Sequence, residues 1–176
     1  TFQLLQTDLG RAKQMNKGAA TATGNMLVFL HADTIVPENF ASELAQVSQS
    51  HEHAWGRFDV SLSGRHPMLR CVEWFINYRS RLTSVATGDQ AIFVRHQTFK
   101  ELGGFADIPL MEDVEISKRL KKLAPPYCSS LKLVTSSRRW ERGGIYNTIF
   151  LMWRLRYAYY RGADPHQLAE QYSQSN

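Results

Sequence analysis

Met26-Leu-Val-Phe-Leu-His-Ala-Asp-Thr-Ile-Val-Pro37 opens with five apolar residues and then stops abruptly at His31 and Asp33. An apolar run without polar alternation reads as a strand covered on both faces, which is typical of a parallel sheet between helix layers. In open sheets of that kind, ligands bind at the carboxyl ends of the strands. The run therefore delivers a histidine and a carboxylate to the edge where such a sheet does its chemistry.

Working outward, strand and helix patterns alternate. Upstream, Phe2 to Leu5 reads as a short strand, and Gly10 to Gly24 as a helix with Ala12, Met15, Ala19 and Ala22 at helical spacing. Downstream, Pro37 opens a helix with a Phe40, Leu44, Val47 stripe. Arg57 to Ser63 alternates as a half-buried strand, and Pro67 to Leu82 is helical with Leu69, Val72, Phe75 and Ile76 inward. Gln90 to Val94 is a further strand, followed by a short helix that Gly103 and Gly104 break. Glu112 to Leu123 is a helix, Lys132 to Thr135 a last strand, Ile145 to Tyr160 a long aromatic-rich helix, and Asp164-Pro165 caps a final one. The class is α/β with a mainly parallel sheet flanked by helices.

With 176 residues, 43% of them hydrophobic, the chain is long enough to bury one core, and it reads as a single domain. No run reaches the roughly 18 apolar residues of a membrane span, because Arg154 and Arg156 interrupt the best one. No signal-peptide or linker pattern is present. Cys71 and Cys128 lack metal-ligand spacing and read as reduced thiols of a cytoplasmic protein. The net charge of +5 is spread along the chain, so nucleic acid, anionic lipid and a phosphorylated small molecule all remain open as partners.

Four places carry chemistry. Asp33 either caps a turn or ligates a hard cation, Mg²⁺ or Mn²⁺, with bound phosphates supplying further oxygens. His31 is either a second ligand or a strand-end residue bonded to backbone. Glu112 and Asp113 at a helix start either answer the helix dipole or accept a proton from a hydroxyl. Gly88-Asp89-Gln90 is a tight turn or a contact for ligand hydroxyls, and Arg138-Arg139-Trp140 a solvated face or a phosphate clamp. The other histidines, His51, His53, His66, His96 and His166, show no ligand spacing and read as surface residues.

Taken in order, GRAKQMNKGAATATG, MLVFLHADTIVP, GDQAIFVRHQTFKELGGF, MEDVE and SSRRW resemble a family 2 glycosyltransferase of the GT-A, Rossmann-like fold. The HADT form of the metal motif and the tail after RRW are similar to a bacterial subgroup named for neighbouring radical-SAM and selenium-domain genes. The resemblance covers residues 1–142, with 143–176 a helical extension of the same domain. Family members begin with two further strands that hold the nucleoside base. The resemblance thus implies a chain truncated at its N-terminus, and a fragment of that kind is expected to be inactive by itself.

By the same resemblance, Asp33 binds a metal that bridges a nucleotide-diphosphate sugar, and Asp113 is the general base of an inverting transfer, with Glu112 orienting either it or the acceptor. Gly88, Asp89 and Gln90 face the acceptor. Arg139 and Trp140, with Arg11 and Lys13, lie near the donor phosphates, as does His31, which replaces the motif's first Asp. No nucleic acid is expected. Two rivals remain. A haloacid dehalogenase-type phosphatase has a nucleophilic Asp where His31 stands. A non-catalytic basic module would instead bind an anionic membrane surface or nucleic acid, using the helix Ile145 to Tyr160, and peripheral attachment there is also compatible with the enzyme.

Overall fold

The computed structural model describes residues 3–50 and 52–174. Phe2 and His51 lie outside them, and residues 3–5 form no strand. Eight helices are present among the described residues: α1 Arg11–Thr21, α2 Phe40–Ser50, α3 Pro67–Thr83, α4 His96–Glu101, α5 Glu112–Leu123, α6 Arg138–Arg142, α7 Ile145–Tyr160 and α8 Pro165–Gln174. The strands are β1 Met26–Val28, β2 Trp55–Leu62, β3 Phe93–Arg95 and β4 Tyr127–Thr135, in the order β1-β3-β2-β4. None of these helices is long and apolar enough to cross a membrane.

The α/β class holds, but the sheet is mixed. Strand β3 runs antiparallel to both neighbours, while β2 and β4 are parallel. Hence β1, β2 and β4 point one way with β3 inserted between them in reverse. Chain direction is invisible in a short apolar run such as Ala91-Ile-Phe-Val94. The consequence for the site survives, because the carboxyl ends of three strands share one edge with the amino end of β3.

Strand β2 corrects a second expectation. It is buried on both faces rather than half-buried. Its apolar residues divide between two cores, Val60 and Leu62 packing with α3 and Phe58 with Phe93 and Leu133. Arg57 and Asp59 are buried as well, paired with each other and joined by Arg81 of α3. Opposite charges satisfy one another there, which is the condition on which charged groups enter an interior.

Other contacts hold the edge in place. Ile35 and Val134 exchange backbone hydrogen bonds of 2.8 and 3.0 Å, tying the loop after β1 to β4. Asn16 of α1 clamps the turn after α4, accepting from Phe105 N at 2.9 Å and donating to Phe105 O at 2.8 Å. Gly103 and Gly104 adopt φ of 75° and 74° in that turn, which glycine adopts without steric cost. Finally, Leu155 of α7 and Leu168 of α8 pack on Met111, so the last two helices fix the residue from which α5 starts. Asp164 accepts from His166 N at 3.0 Å and caps α8 as the sequence indicates.

Candidate active site

Four segments meet at the shared edge: His31 to Asp33 after β1, the 3₁₀ turn Gly88–Gln90 before β3, the first turn of α5, and Ser136 to Trp140 after β4. They surround an open cleft of about 760 Å³ that both Asp33 and Asp113 line. A narrower recess of about 280 Å³ continues from it and adds Asp89, Glu112, Arg139, Trp140, Arg156 and Tyr172. Two carboxylates from distant parts of the chain thus converge on one solvent-accessible space.

Asp113 is held by backbone. Its Oδ2 accepts from Gly88 N at 2.8 Å and its Oδ1 from Val114 N at 2.7 Å. Free N–H groups and a favourable dipole are what a helix start offers an acid. Each oxygen keeps a lone pair, so the cleft side can still take a proton. Gly88 leaves room for the tips of two side chains, since a Cβ there would displace Arg11 Nη2 and His31 Nε2.

Glu112 lies beneath. It is only 1% exposed, and Arg11 Nε sits 3.3 Å from its Oε1. Burial pushes the Glu112 carboxyl above its ordinary value of 4.5, the Asp113 charge adds to that rise, and Arg11 pulls the other way. The folded chain therefore keeps this proton to higher pH than the unfolded chain does, and ionising Glu112 erodes stability as pH rises above that ordinary value. Glu112→Gln removes the erosion. Its melting temperature relative to the parent is expected to improve as pH rises above the ordinary carboxyl value of 4.5; a difference that stays flat or falls as pH rises from there contradicts the assignment.

Arg11 also reaches His31. Its Nη2 bonds His31 Nε2, and His31 Nδ1 lies 3.1 Å from Asp89 Oδ1. A guanidinium only donates, so in the tautomer that satisfies both contacts Nε2 accepts from Arg11 and Nδ1 donates to Asp89. Burial works to raise the Asp89 carboxyl, but the hydrogen bond and charge of His31 and the charges of Arg11 and Arg156 outweigh it and hold the group below its usual range. The result is a chain Glu112, Arg11, His31, Asp89 across the floor of the recess.

That chain corrects the reading of His31. Both ring nitrogens are engaged by side chains rather than by backbone, while the ring still lines the cleft and the recess. Two further assignments fail on geometry. Gln90 is 0% exposed, with its amide spent on Ser80 Oγ at 2.9 Å and Thr87 N at 3.2 Å, so it cannot touch an acceptor. Lys13 stands two residues from Arg11, a spacing that turns it to another helix face, where it meets Asp107 at 3.8 Å and does not line the cleft.

Asp33 is 42% exposed, with Arg138 Nη2 at 3.9 Å, and lies well before α2, so it is not that helix's cap. Among the described residues no group of three His, Cys, Asp or Glu side chains gathers to hold a metal. Arg139 stacks 3.5 Å above the Tyr172 ring, and among the described residues its buried Nη2 has no hydrogen-bond partner beside the recess.

Sequence reasoning missed Arg156 as a site residue by reading it with the surface arginines of its helix. It lines the recess with Thr148 and Met152. The interval of four between these positions was the signal, because it stacks all three on one helix face. Burial lowers the Arg156 value, and Asp113 and Asp89 counter it, so this cation faces the two acids.

Against models of known families, residues 4–100 match Glycosyl transferase family 2. The matched span carries Arg11, His31, Asp33 and Gly88–Gln90 and ends before Glu112 and Asp113. No curated protein matches the chain.

Proposed function

The chain belongs to glycosyl transferase family 2, glycosyltransferases of GT-A fold that draw on nucleotide-sugar donors, and from that premise we propose that it performs an inverting transfer to an acceptor hydroxyl. The observation that carries the proposal is Asp113 held by two backbone N–H groups in the cleft it shares with Asp33. Asp113 takes the proton of the acceptor hydroxyl, and the oxygen forms a bond to the anomeric carbon from the face opposite the leaving group. The bond to the diphosphate oxygen breaks and its electron pair stays with the diphosphate. Arg139 Nη2 and Arg138 are placed to answer that charge, as charge-assisted donors aimed where negative charge develops.

The exposed carboxylate of Asp33 fits a hard divalent cation, Mg²⁺ or Mn²⁺, if donor phosphate oxygens complete its shell. Such an ion supplies Lewis-acid stabilisation of the departing diphosphate. A thermal-shift series on the full-length protein tests both points together. Nucleoside diphosphates with Mn²⁺ should stabilise the chain, by about 2.7 kcal/mol at a hundredfold excess over Kd, and Asp33→Ala should abolish the metal-dependent part. Equal stabilisation with and without Mn²⁺ removes the metal from the proposal; no response to any nucleoside diphosphate removes the transferase reading and leaves the non-catalytic module.

One observation supports a peripheral membrane contact as a second property. Tyr146, Phe150, Trp153, Tyr157 and Tyr160 form an exposed stripe along α7, at alternating intervals of four and three, with exposed Arg154 and Arg161 on the same segment. Aromatic side chains flanked by arginines suit the interface of an anionic bilayer. The chain should float with phosphatidylserine-containing liposomes and Phe150→Ser/Tyr157→Ser should sink; a parent protein that stays at the bottom of the gradient disposes of the idea.

A further inference from the structure

The recess beside Asp113 has a second exit. Between α3 and α7 runs a groove of about 650 Å³, walled by Val72, Phe75 and Ile76 on one side and Ile149, Met152 and Trp153 on the other. Phe75 and Trp153 span the two helices, their rings stacked at 5.4 Å. The groove joins the recess through Thr87, Asp89, Trp140, Met152 and Arg156, which line both.

We propose that this groove receives the apolar limb of an amphiphilic acceptor, a hydroxyl-bearing head joined to an alkyl or prenyl chain. The inference rests on the glycosyltransferase reading and names the acceptor class for it. Continuity supplies the first argument. An acceptor must bring a hydroxyl to Asp113, and the rest of it must leave the recess by some path. The open cleft on the other side carries Arg11, Asp33 and Arg138 and suits the charged donor. A further cavity of about 710 Å³ meets the recess through Ser136, Arg139 and Thr148, but Asp33, Arg138, Arg139 and Arg142 line it and give it the same charged character, so the apolar path is the groove.

The chemistry of the walls supplies the second argument. A glycan bound along the groove needs hydrogen-bond partners at each ring, since buried hydroxyls left unpaired are costly. The central walls offer hydrocarbon and aromatic surface only. Of the polar residues, Thr87, Asp89 and Arg156 stand at the junction, and Arg70 spends its Nη2 on Gly64 O at 2.9 Å and Glu73 at 2.8 Å. A cavity of this size with apolar walls and polar groups confined to its ends matches what an apolar ligand requires.

The molecule carries its own reporter, because three of its four tryptophans, Trp74, Trp140 and Trp153, line the groove. Titration with n-decyl β-glucoside below its micelle concentration should change the tryptophan emission saturably, whereas maltose at equal concentration should not. Ile149→Asp places a charge in the groove, and Trp153→Ser, at a 58% exposed position that folding does not need, removes one wall. Each should weaken decyl glucoside binding at least tenfold. An equal response to maltose would make the groove a glycan subsite and overturn the proposal, as would parent-like binding by Trp153→Ser. Nucleoside diphosphate with Mn²⁺, followed by thermal shift on the same protein, keeps the two readings apart. Stabilisation there without a decyl glucoside response sinks the acceptor class alone; a decyl glucoside response without any nucleotide effect sinks the transferase reading and with it the groove's role as an acceptor site.

Discussion

In the full-length protein, Asp113→Asn should leave donor binding intact while sugar transfer falls by about 10²- to 10⁴-fold, the range that a positioned general base contributes. Asparagine is isosteric, and its Oδ1 can still accept from Gly88 N, the 2.8 Å contact that ties α5 to the turn before β3. What disappears is the capacity to take a proton, together with the second backbone contact, since an amide nitrogen cannot accept from Val114 N. The measurement pairs release of nucleoside diphosphate from a panel of nucleotide-diphosphate sugars with the Mn²⁺-dependent thermal shift. Transfer lost with the thermal shift retained is the expected pattern, and turnover at the parent's rate would remove Asp113 from the mechanism. Loss of both would point to collapse of the recess instead. Glu112→Gln distinguishes these cases, because it disturbs Arg11 on the same floor without altering the proposed base.

The residues of MLVFLHADTIVP made the edge legible. A run too oily to alternate, ending in polar side chains, has few places to go other than the carboxyl end of a covered strand, and His31 and Asp33 do lie on that edge beside the cleft. Helix limits were also readable where local signals act, as with Pro67 opening α3 after His66, whose Nδ1 accepts from Met68 N at 3.1 Å. The failures share a cause. The direction of β3, the burial of Gln90 and the engagement of His31 all depend on partners distant in the chain, namely β1 and β2, Ser80, and Arg11 with Asp89. Nothing local in Gly88-Asp89-Gln90 distinguishes the amide that turns inward from the carboxylate that stays at the recess. Arg156 differs in kind, since its spacing from Met152 was visible and only knowledge of which face of α7 turns inward was lacking.

Asp59→Ala should be the most damaging single substitution outside the site. Alternation along β2 places Arg57 and Asp59 in water, yet Arg57 is 1% exposed and its guanidinium bonds Asp59 and, at 3.2 Å, Asn77 O. Arg81 grips the same carboxylate at 2.6 and 3.0 Å but is itself exposed enough to turn to solvent when that partner goes. Arg57 has no such escape. Breaking a buried pair by removing one member costs about 3–5 kcal/mol, against about 5–15 kcal/mol for the whole of a typical domain's stability. The urea midpoint should fall on the order of 2 M for a chain of this size. A companion variant separates charge from volume. Arg57→Met/Asp59→Leu deletes both charges and keeps the space filled, and replacing a buried pair in this way is often close to neutral. The double variant is therefore expected to denature at higher urea than Asp59→Ala, although it changes more atoms. The opposite order would mean that packing around β2 matters more here than the stranded guanidinium.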